Sequence, residues 1–371
     1  MKIFKRAVLP GGFKANAVAC GIKKSEKLDL ALIFSETPAK ASCKFTANKI
    51  TAAPIQVDKF YLANHSLFSA VVVNSGNANC FTGKAGLKDA RDTTEFLGRA
   101  LNIKKEDILV ASTGIIGRRL QIAKIKTAVP ALAAGLSRDG INKVKKAIMT
   151  TDTFAKEIAV TFKIAGQTVS ISGVAKGAGM IAPDMATMLS FILTDANITQ
   201  RALDKALGIC TESSFNCITV DGCMSTNDSV FLLANGAAGN DAIDLSKHFA
   251  LFVKALMFVC VELAKMIVMD AEGATKFIQV KVSGARDSAE AKKAALAIAN
   301  SNLFKCAMFG ENPNFGRIAA AVGASGIDVK EKCLKIKLSP LNKKEINVSV
   351  SLGRGIHSRT VYTSDLTPEY I

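Results

Sequence analysis

Short apolar runs alternate with longer segments of helical period along the whole chain. Runs rich in Val, Ile, Leu and Phe at residues 28–35, 70–74, 108–111, 187–194, 229–234, 276–282, 333–338 and 346–351 predict strands. Residues 154–164 and 168–174 alternate in period two about Ala165, Gly166 and Gln167, the pattern of a hairpin. Apolar positions recurring every three to four residues predict helices over 84–101, 120–135, 199–210, 245–269 and 288–305. Asp244 or Ser246 is placed to cap the fourth of these, and Ser288 with Glu290 opens the fifth in the manner of an N-cap. Pro130 is expected to kink or split the second. No internal repeat or flexible linker interrupts the alternation, which predicts a mixed α/β fold without an obvious hinge.

Composition narrows this picture. With 371 residues, 49% hydrophobic and 21% charged, the chain can bury a sizeable core and is not a disordered one. The greasiest stretch, 250–269, contains Lys254, Glu262 and Lys265, so it reads as a buried helix and not as a membrane span. Nine cysteines, an odd number with no C-x-x-C pair, fit buried free thiols in a reducing compartment. The basic start is followed by Pro10, Gly11, Gly12 and Lys14, which break any secretory apolar core, so a cytoplasmic protein is expected. His65, His248 and His357 lie far apart, and no metal site is expected.

The formal net charge of +17 is unevenly spread: residues 1–186 carry 28 basic and 13 acidic side chains, a net of +15, while 187–371 carry 20 and 18. A basic half suits an anionic partner or simply a solvated surface. With no Trp and three Tyr the chain has little with which to stack bases, so nucleic-acid binding is a weak alternative.

Four segments carry candidate chemistry. Residues 74–79, Asn-Ser-Gly-Asn-Ala-Asn, follow a strand and supply a donor-rich turn, which an Asx-turn also explains. Thr113 and Gly114 end another strand, where a hydroxyl and a glycine amide suit either an oxyanion hole or a helix N-cap. The run from Lys176 to Gly179 has Lys before its glycines, the wrong order for a phosphate loop. It leads to Thr187, whose hydroxyl is a poor nucleophile without a base. Were the bond between Ala186 and Thr187 cut, the freed α-amine, with a pKa of about 7.7–8.0, would serve as that base. Finally, Asp270 and Glu272 place carboxylates at the end of the long helix, against its dipole. They suit pairing with a substrate ammonium, or are a solvated helix end closed by Gly273 as its C′ residue.

Taken together, these segments resemble the ornithine acetyltransferase family, also called bifunctional glutamate N-acetyltransferase, of arginine biosynthesis. The resemblance rests on residues 13–15, 29–32, 73–79, 112–114, 149–152, the block KGAGMIAPDMATML at 176–189, and residues 270–275, 312–317 and 362–367. It implies layered mixed sheets with packed helices, similar to the fold of N-terminal-nucleophile aminopeptidases. It implies self-cleavage between Ala186 and Thr187 into an alpha chain, 1–186, and a beta chain, 187–371, assembled as a heterotetramer. Thr187 would be the nucleophile, Thr113 and Gly114 the oxyanion donors, and Lys176, Glu272 and one of Thr150 and Thr151, Thr150 by preference, the substrate contacts. The implied reaction is ping-pong: N-acetylornithine acylates Thr187, ornithine leaves, and glutamate takes the acetyl group. No metal or organic cofactor is implied; acetyl-CoA would enter only as a substrate, and members with and without that second donor exist. Family members usually continue past residue 371 into a tail whose Asn and Thr help bind substrate, and this sequence ends before either position. An amidohydrolase or aminopeptidase of the same self-cutting type is the alternative enzyme.

Overall fold

The structure is a computed structural model that describes residues 1–24, 26–182 and 188–370. The chain forms two compact units, interleaved in sequence. The first comprises Met1–Gly177, Thr187–Ser213 and Ser225–Leu263; the second comprises Ala178–Ala186, Ser214–Met224 and Ala264–Ile371.

The first unit is built on a mixed sheet. Among the described residues its strands run in the order Lys2–Phe4, Lys156–Ile164, Gln167–Lys176, Leu189–Thr194, Ser229–Ala234, Leu30–Phe45, Phe68–Asn77 and Ile108–Ile115, with Phe13–Val18 paired to Leu30–Phe45. Two neighbouring pairs are parallel, Leu189–Thr194 with Ser229–Ala234 and Phe68–Asn77 with Ile108–Ile115. The strands Leu189–Thr194 and Ser229–Ala234 are buried at every position, which is why both read as unbroken apolar runs instead of alternating ones. Phe191 stacks on Phe231 across them, ring centroids 5.3 Å apart. Leu97 of helix Gly83–Leu101 joins Ile125, Val129 and Leu132 of helix Ile122–Ala134 in the core, beside Val71, Val73 and Leu109 of the sheet.

In the second unit the strand order is Lys335–Leu338, Glu345–Ser351, Phe277–Ala285 and His357–Ser364. Ile346, Val348 and Val350 alternate with exposed positions, so one face of this sheet is apolar. That face packs on Ala291, Ala294, Ala295 and Ile298 of helix Ser288–Ala299, where the three alanines are small enough to allow a close approach.

Most predicted elements recur. The expected hairpin turns through Ala165 and Gly166, both at positive φ, the signature of the two-residue turn that matches strand twist. The predicted 288–305 helix is two helices, Ser288–Ala299 and Asn302–Phe309, because Ser301 caps the second by accepting from the Phe304 amide. Asp287, not Ser288, caps the first. The fourth predicted helix starts at Phe249, and Asp244 instead accepts from the Ser246 and Lys247 amides in a turn ahead of it. Pro130 does not split helix Ile122–Ala134; it sits on the exposed side, where a carbonyl robbed of its partner can be hydrated. Strands Lys2–Phe4, Phe13–Val18 and His357–Ser364 and helices Ala53–Asn64, Ile141–Ala147 and Phe315–Ala324 are additions to the sequence reading. None of the described helices is long and apolar enough to cross a membrane. All nine cysteines are free thiols; Cys80, Cys210, Cys217 and Cys260 are buried, while Cys223 and Cys306 are exposed.

Candidate active site

Thr113 and Gly114 lie at the end of strand Ile108–Ile115, alongside the amide-rich end of Phe68–Asn77. The parallel register sets Gly76 beside Gly114 and shifts there, so that Asn77 faces both Thr113 and Ile115. Gly114 has φ +132°, and a Cβ on it would lie 2.3 Å from the Gly76 carbonyl carbon and 2.5 Å from the Asn77 nitrogen. Only glycine fits, which favours a backbone brought to a special position over a simple helix cap: no helix starts here. The 74–79 segment is a network, not a lone Asx-turn. Asn74 accepts from the Ser112 hydroxyl at 2.6 Å and donates to the Asn77 carbonyl at 2.9 Å, while Asn77 accepts from the Asn79 amide at 2.7 Å.

A second cluster surrounds Asp152. Its Oδ1 accepts from the Gly177 amide at 2.7 Å and from Lys156 Nζ at 2.5 Å, and its Oδ2 accepts from the Thr150 amide at 2.9 Å. Burial opposes its ionisation, but Lys176 and Lys156 outweigh that and hold the carboxyl below the usual range. Thr150 is exposed, and Lys176 is 3% exposed at the end of strand Gln167–Lys176. One carboxylate therefore ties the Thr150 loop to the residue after Lys176. Lys23 reinforces the same loop, donating to the carbonyls of Leu28, Ala147 and Met149 at 2.8–3.1 Å. Burial pulls its pKa down, against the pull of Asp29.

Ala186 and Thr187 lie outside the described residues. The next residue, Met188, is held on both sides: its amide donates to Asp228 Oδ1 at 2.9 Å, and its carbonyl accepts from the Ser229 amide at 3.1 Å. Leu189 pairs with Lys176 on one side and Ser229 on the other. Lys176 is thus opposite a residue two positions beyond Thr187.

Glu272 belongs to the second unit. Helix Phe249–Met269 ends before it, and the Glu272 amide donates to the Ala178 carbonyl at 3.1 Å. Its carboxylate lies against Gly179, where a Cβ would stand 2.5 Å from Glu272 Oε2. Asp221 fixes the same loop by accepting from the Met180 and Ile181 amides and from the Tyr370 hydroxyl at 2.6–3.0 Å. Gly273 is four residues past the helix and is not its C′ residue. Its positive φ and its approach to Glu369 and Tyr370, 2.7 Å from a notional Cβ, are what require glycine.

Asp152, Asp221 and Asp228 are polar residues of these clusters to which the sequence assigns no role, although Asp152 lies in the 149–152 run that carries the resemblance. The backbone amides they hold, those of Gly177, Met180 and Met188, lie 25, 41 and 40 residues away in the chain, too far for a local pattern to mark them. Among the described residues no group of His, Cys, Asp and Glu is arranged to hold a metal.

The model of the ArgJ family matches residues 14–371. The "Arginine biosynthesis bifunctional protein ArgJ" of Geobacter sulfurreducens is 45% identical, over 97% of this chain and 97% of that protein. The "Glutamate N-acetyltransferase" of Methanococcus maripaludis is 47% identical, over 94% of this chain and 84% of that protein. Among solved structures, an ornithine acetyltransferase from Mycobacterium tuberculosis complexed with ornithine is 37% identical, covering 49% of this chain and 97% of that one, with a TM-score of 0.46.

Proposed function

The chain belongs to the ArgJ family, and from that membership we propose that it is a glutamate N-acetyltransferase of arginine biosynthesis, passing an acetyl group from N-acetylornithine to glutamate through an ester on Thr187. The observation that carries the assignment of residues is the register at the strand ends: Lys176 opposite Leu189, two residues beyond Thr187, and Gly114 at a position only glycine can take.

In the proposed sequence the Thr187 hydroxyl first attacks the Ala186 carbonyl, the C–N bond breaks as the hydroxyl proton passes to the departing nitrogen, and water hydrolyses the resulting ester. This leaves one chain ending at Ala186 and another beginning at Thr187. The freed α-amine then takes the hydroxyl proton during attack on N-acetylornithine and returns it to the leaving ornithine. The Thr113 hydroxyl and Gly114 amide receive the oxyanion. Glu272 suits the substrate ammonium, while Lys176 and Thr150 suit its polar groups. Glutamate attacks the acetyl ester and restores the hydroxyl. Acetyl-CoA is a second donor in this reading, as the bifunctional name of the relatives suggests. Two alpha and two beta chains form the assembly, and free thiols suit a cytoplasmic setting.

Denaturing electrophoresis tests the cut: two bands of near-equal mass are expected, and Thr187→Ala leaves one band near 39.2 kDa. Incubation with N-acetylornithine and glutamate tests the transfer. N-acetylglutamate is the expected product, whereas free acetate with unmodified glutamate would convert the assignment to an amidohydrolase.

A further inference from the structure

Asn227 and Asp228 are buried residues at the head of strand Ser229–Ala234, and neither has a role in the reaction as set out above. Their backbone is anchored from outside the candidate site. The Thr46 amide donates to the Asp228 carbonyl at 3.0 Å, and the Ala52 amide donates to the Thr226 carbonyl at 2.9 Å. The Asn227 amide is itself fixed by Ser225 Oγ at 3.0 Å.

From this anchored position the two side chains reach different parts of the site. Asn227 Nδ2 donates to the Ser112 carbonyl at 2.8 Å and to the Ala78 carbonyl at 2.6 Å. Asn227 Oδ1 accepts from the Thr226 hydroxyl at 2.7 Å. The partners settle which end of the amide is which, since two carbonyl oxygens demand the NH₂ and a hydroxyl satisfies the oxygen. Asp228 Oδ1 meanwhile holds the Met188 amide.

The Ser112 carbonyl is part of the rigid peptide plane that also contains the Thr113 N–H. Holding that carbonyl sets the orientation of the plane, and with it the direction in which Thr113 and Gly114 leave the strand. The Ala78 bond ties the facing loop to the same point. An aspartate cannot replace this function, because it offers two acceptors where two carbonyls need donors.

We propose that Asn227 is a positioning residue for acetyl transfer, its side-chain amide fixing the Thr113–Gly114 oxyanion donors relative to the strand that begins beside residue 187. The proposal rests on the function proposed above and adds to it a group argued to act through Thr113 and Gly114. Misplacement of a reacting group by about 1 Å costs on the order of 100-fold in rate. A misaimed donor is felt in the transition state and hardly in substrate binding.

The test compares wild type, Asn227→Ala and Asn227→Asp for N-acetylornithine-dependent acetylation of glutamate, with folding followed by circular dichroism and thermal unfolding. Asn227→Ala is expected to lose roughly 100-fold in kcat with KM changed less than threefold. Added formamide, which has the shape of the missing amide, is expected to restore part of that kcat. Asn227→Asp is expected to be no better than the alanine variant and to gain nothing from formamide. A folded Asn227→Ala protein with kcat within threefold of wild type would overturn the proposal, as would a loss confined to KM. Failure of both variants to fold would assign the amide to the fold and overturn it too. A wild-type protein without acetyl transfer would sink the underlying function, and that arm is read before any variant.

Discussion

Gly114→Ala puts the close approach at the proposed oxyanion position to a direct test. The new methyl group would stand 2.3, 2.5 and 2.7 Å from the carbonyl carbon of Gly76, the nitrogen of Asn77 and the Cα of Gly76. All three are backbone atoms of the paired strand, so no side-chain rotation relieves the clash, and the two strand ends must part by roughly 1 Å to reach ordinary contact. The backbone angle of +132° adds its own cost for an L residue. The conformational part is roughly 1–3 kcal/mol and the overpacking part roughly 1–3 kcal/mol, giving about 2–6 kcal/mol together. Gly117→Ala separates the two parts, because Gly117 also has positive φ (+79°) but has nothing within 4 Å of its notional Cβ. Urea unfolding of both variants is expected to show Gly114→Ala less stable than Gly117→Ala by about 1–3 kcal/mol. Acetyl transfer separates them further: parting the strands moves the Gly114 amide, and kcat is expected to fall by about 100-fold or more in Gly114→Ala and to change little in Gly117→Ala. Equal stability in the two variants, or a fully active Gly114→Ala enzyme, would refute the reasoning.

Three other perturbations follow from the same geometry. Asp152→Ala leaves Lys156, 0% exposed, without its carboxylate and is expected to cost roughly 3–5 kcal/mol in chemical denaturation, with Lys156→Met costing less because Asp152 then still serves Lys176 and the Thr150 and Gly177 amides. Gly179→Ala pushes on the free end of Glu272, which can swing aside, so stability is expected to hold while KM for N-acetylornithine rises several-fold; an unchanged KM would remove Glu272 from the substrate contacts. Burial lowers the pKa of Lys305 to about 8 against the pull of Asp365 and Asp221, while the unfolded lysine keeps its ordinary 10.5. The folded protein then binds fewer protons than the unfolded one across that window, so stability rises with pH from about 8 to 10.5, by at most roughly 3 kcal/mol. Lys305→Met is expected to abolish that rise in thermal unfolding followed against pH, and persistence of the rise would assign it to another group.

The elements legible in the sequence are those whose burial is written locally. Residues 230–234 are apolar throughout and mark their strand, and the period-two runs on either side of Ala165 and Gly166 announce their hairpin. His357–Ser364 mixes charged, hydroxyl and apolar residues, and it becomes a strand by pairing with Phe277–Ala285. Helix Phe315–Ala324 contains Gly316 and Gly323, which weaken any local helical signal. The alanine-rich run beyond Ser288 keeps its helical period through Asn300, and only the cap supplied by Ser301 divides it. At the site, the glycine-rich strand ends stand out in the sequence. Asn227 does not, because its two partners lie 115 and 149 residues away in the chain.

The uneven charge looks different once the lysines are placed. In the first 186 residues, Lys156 and Lys176 are buried, and Lys23 directs its ammonium to three backbone carbonyls instead of to solvent. All three converge on the segment from Ala147 to Asp152, and Asp152 is a single carboxylate among them. A polyanion tracks a solvated stripe of cations, and these three lysines are not part of one. Positive charge beside the proposed substrate contact Lys176 instead suits a small substrate bearing carboxylates, and both proposed substrates, N-acetylornithine and glutamate, carry them. The opposite sign is needed once, for the ornithine ammonium, and that is the role proposed for Glu272, whose carboxylate lies against Gly179. Of the three lysines, only Lys176 is a proposed substrate contact; Lys23 and Lys156 brace the segment beside it, one on the Ala147 and Met149 carbonyls and the other on Asp152.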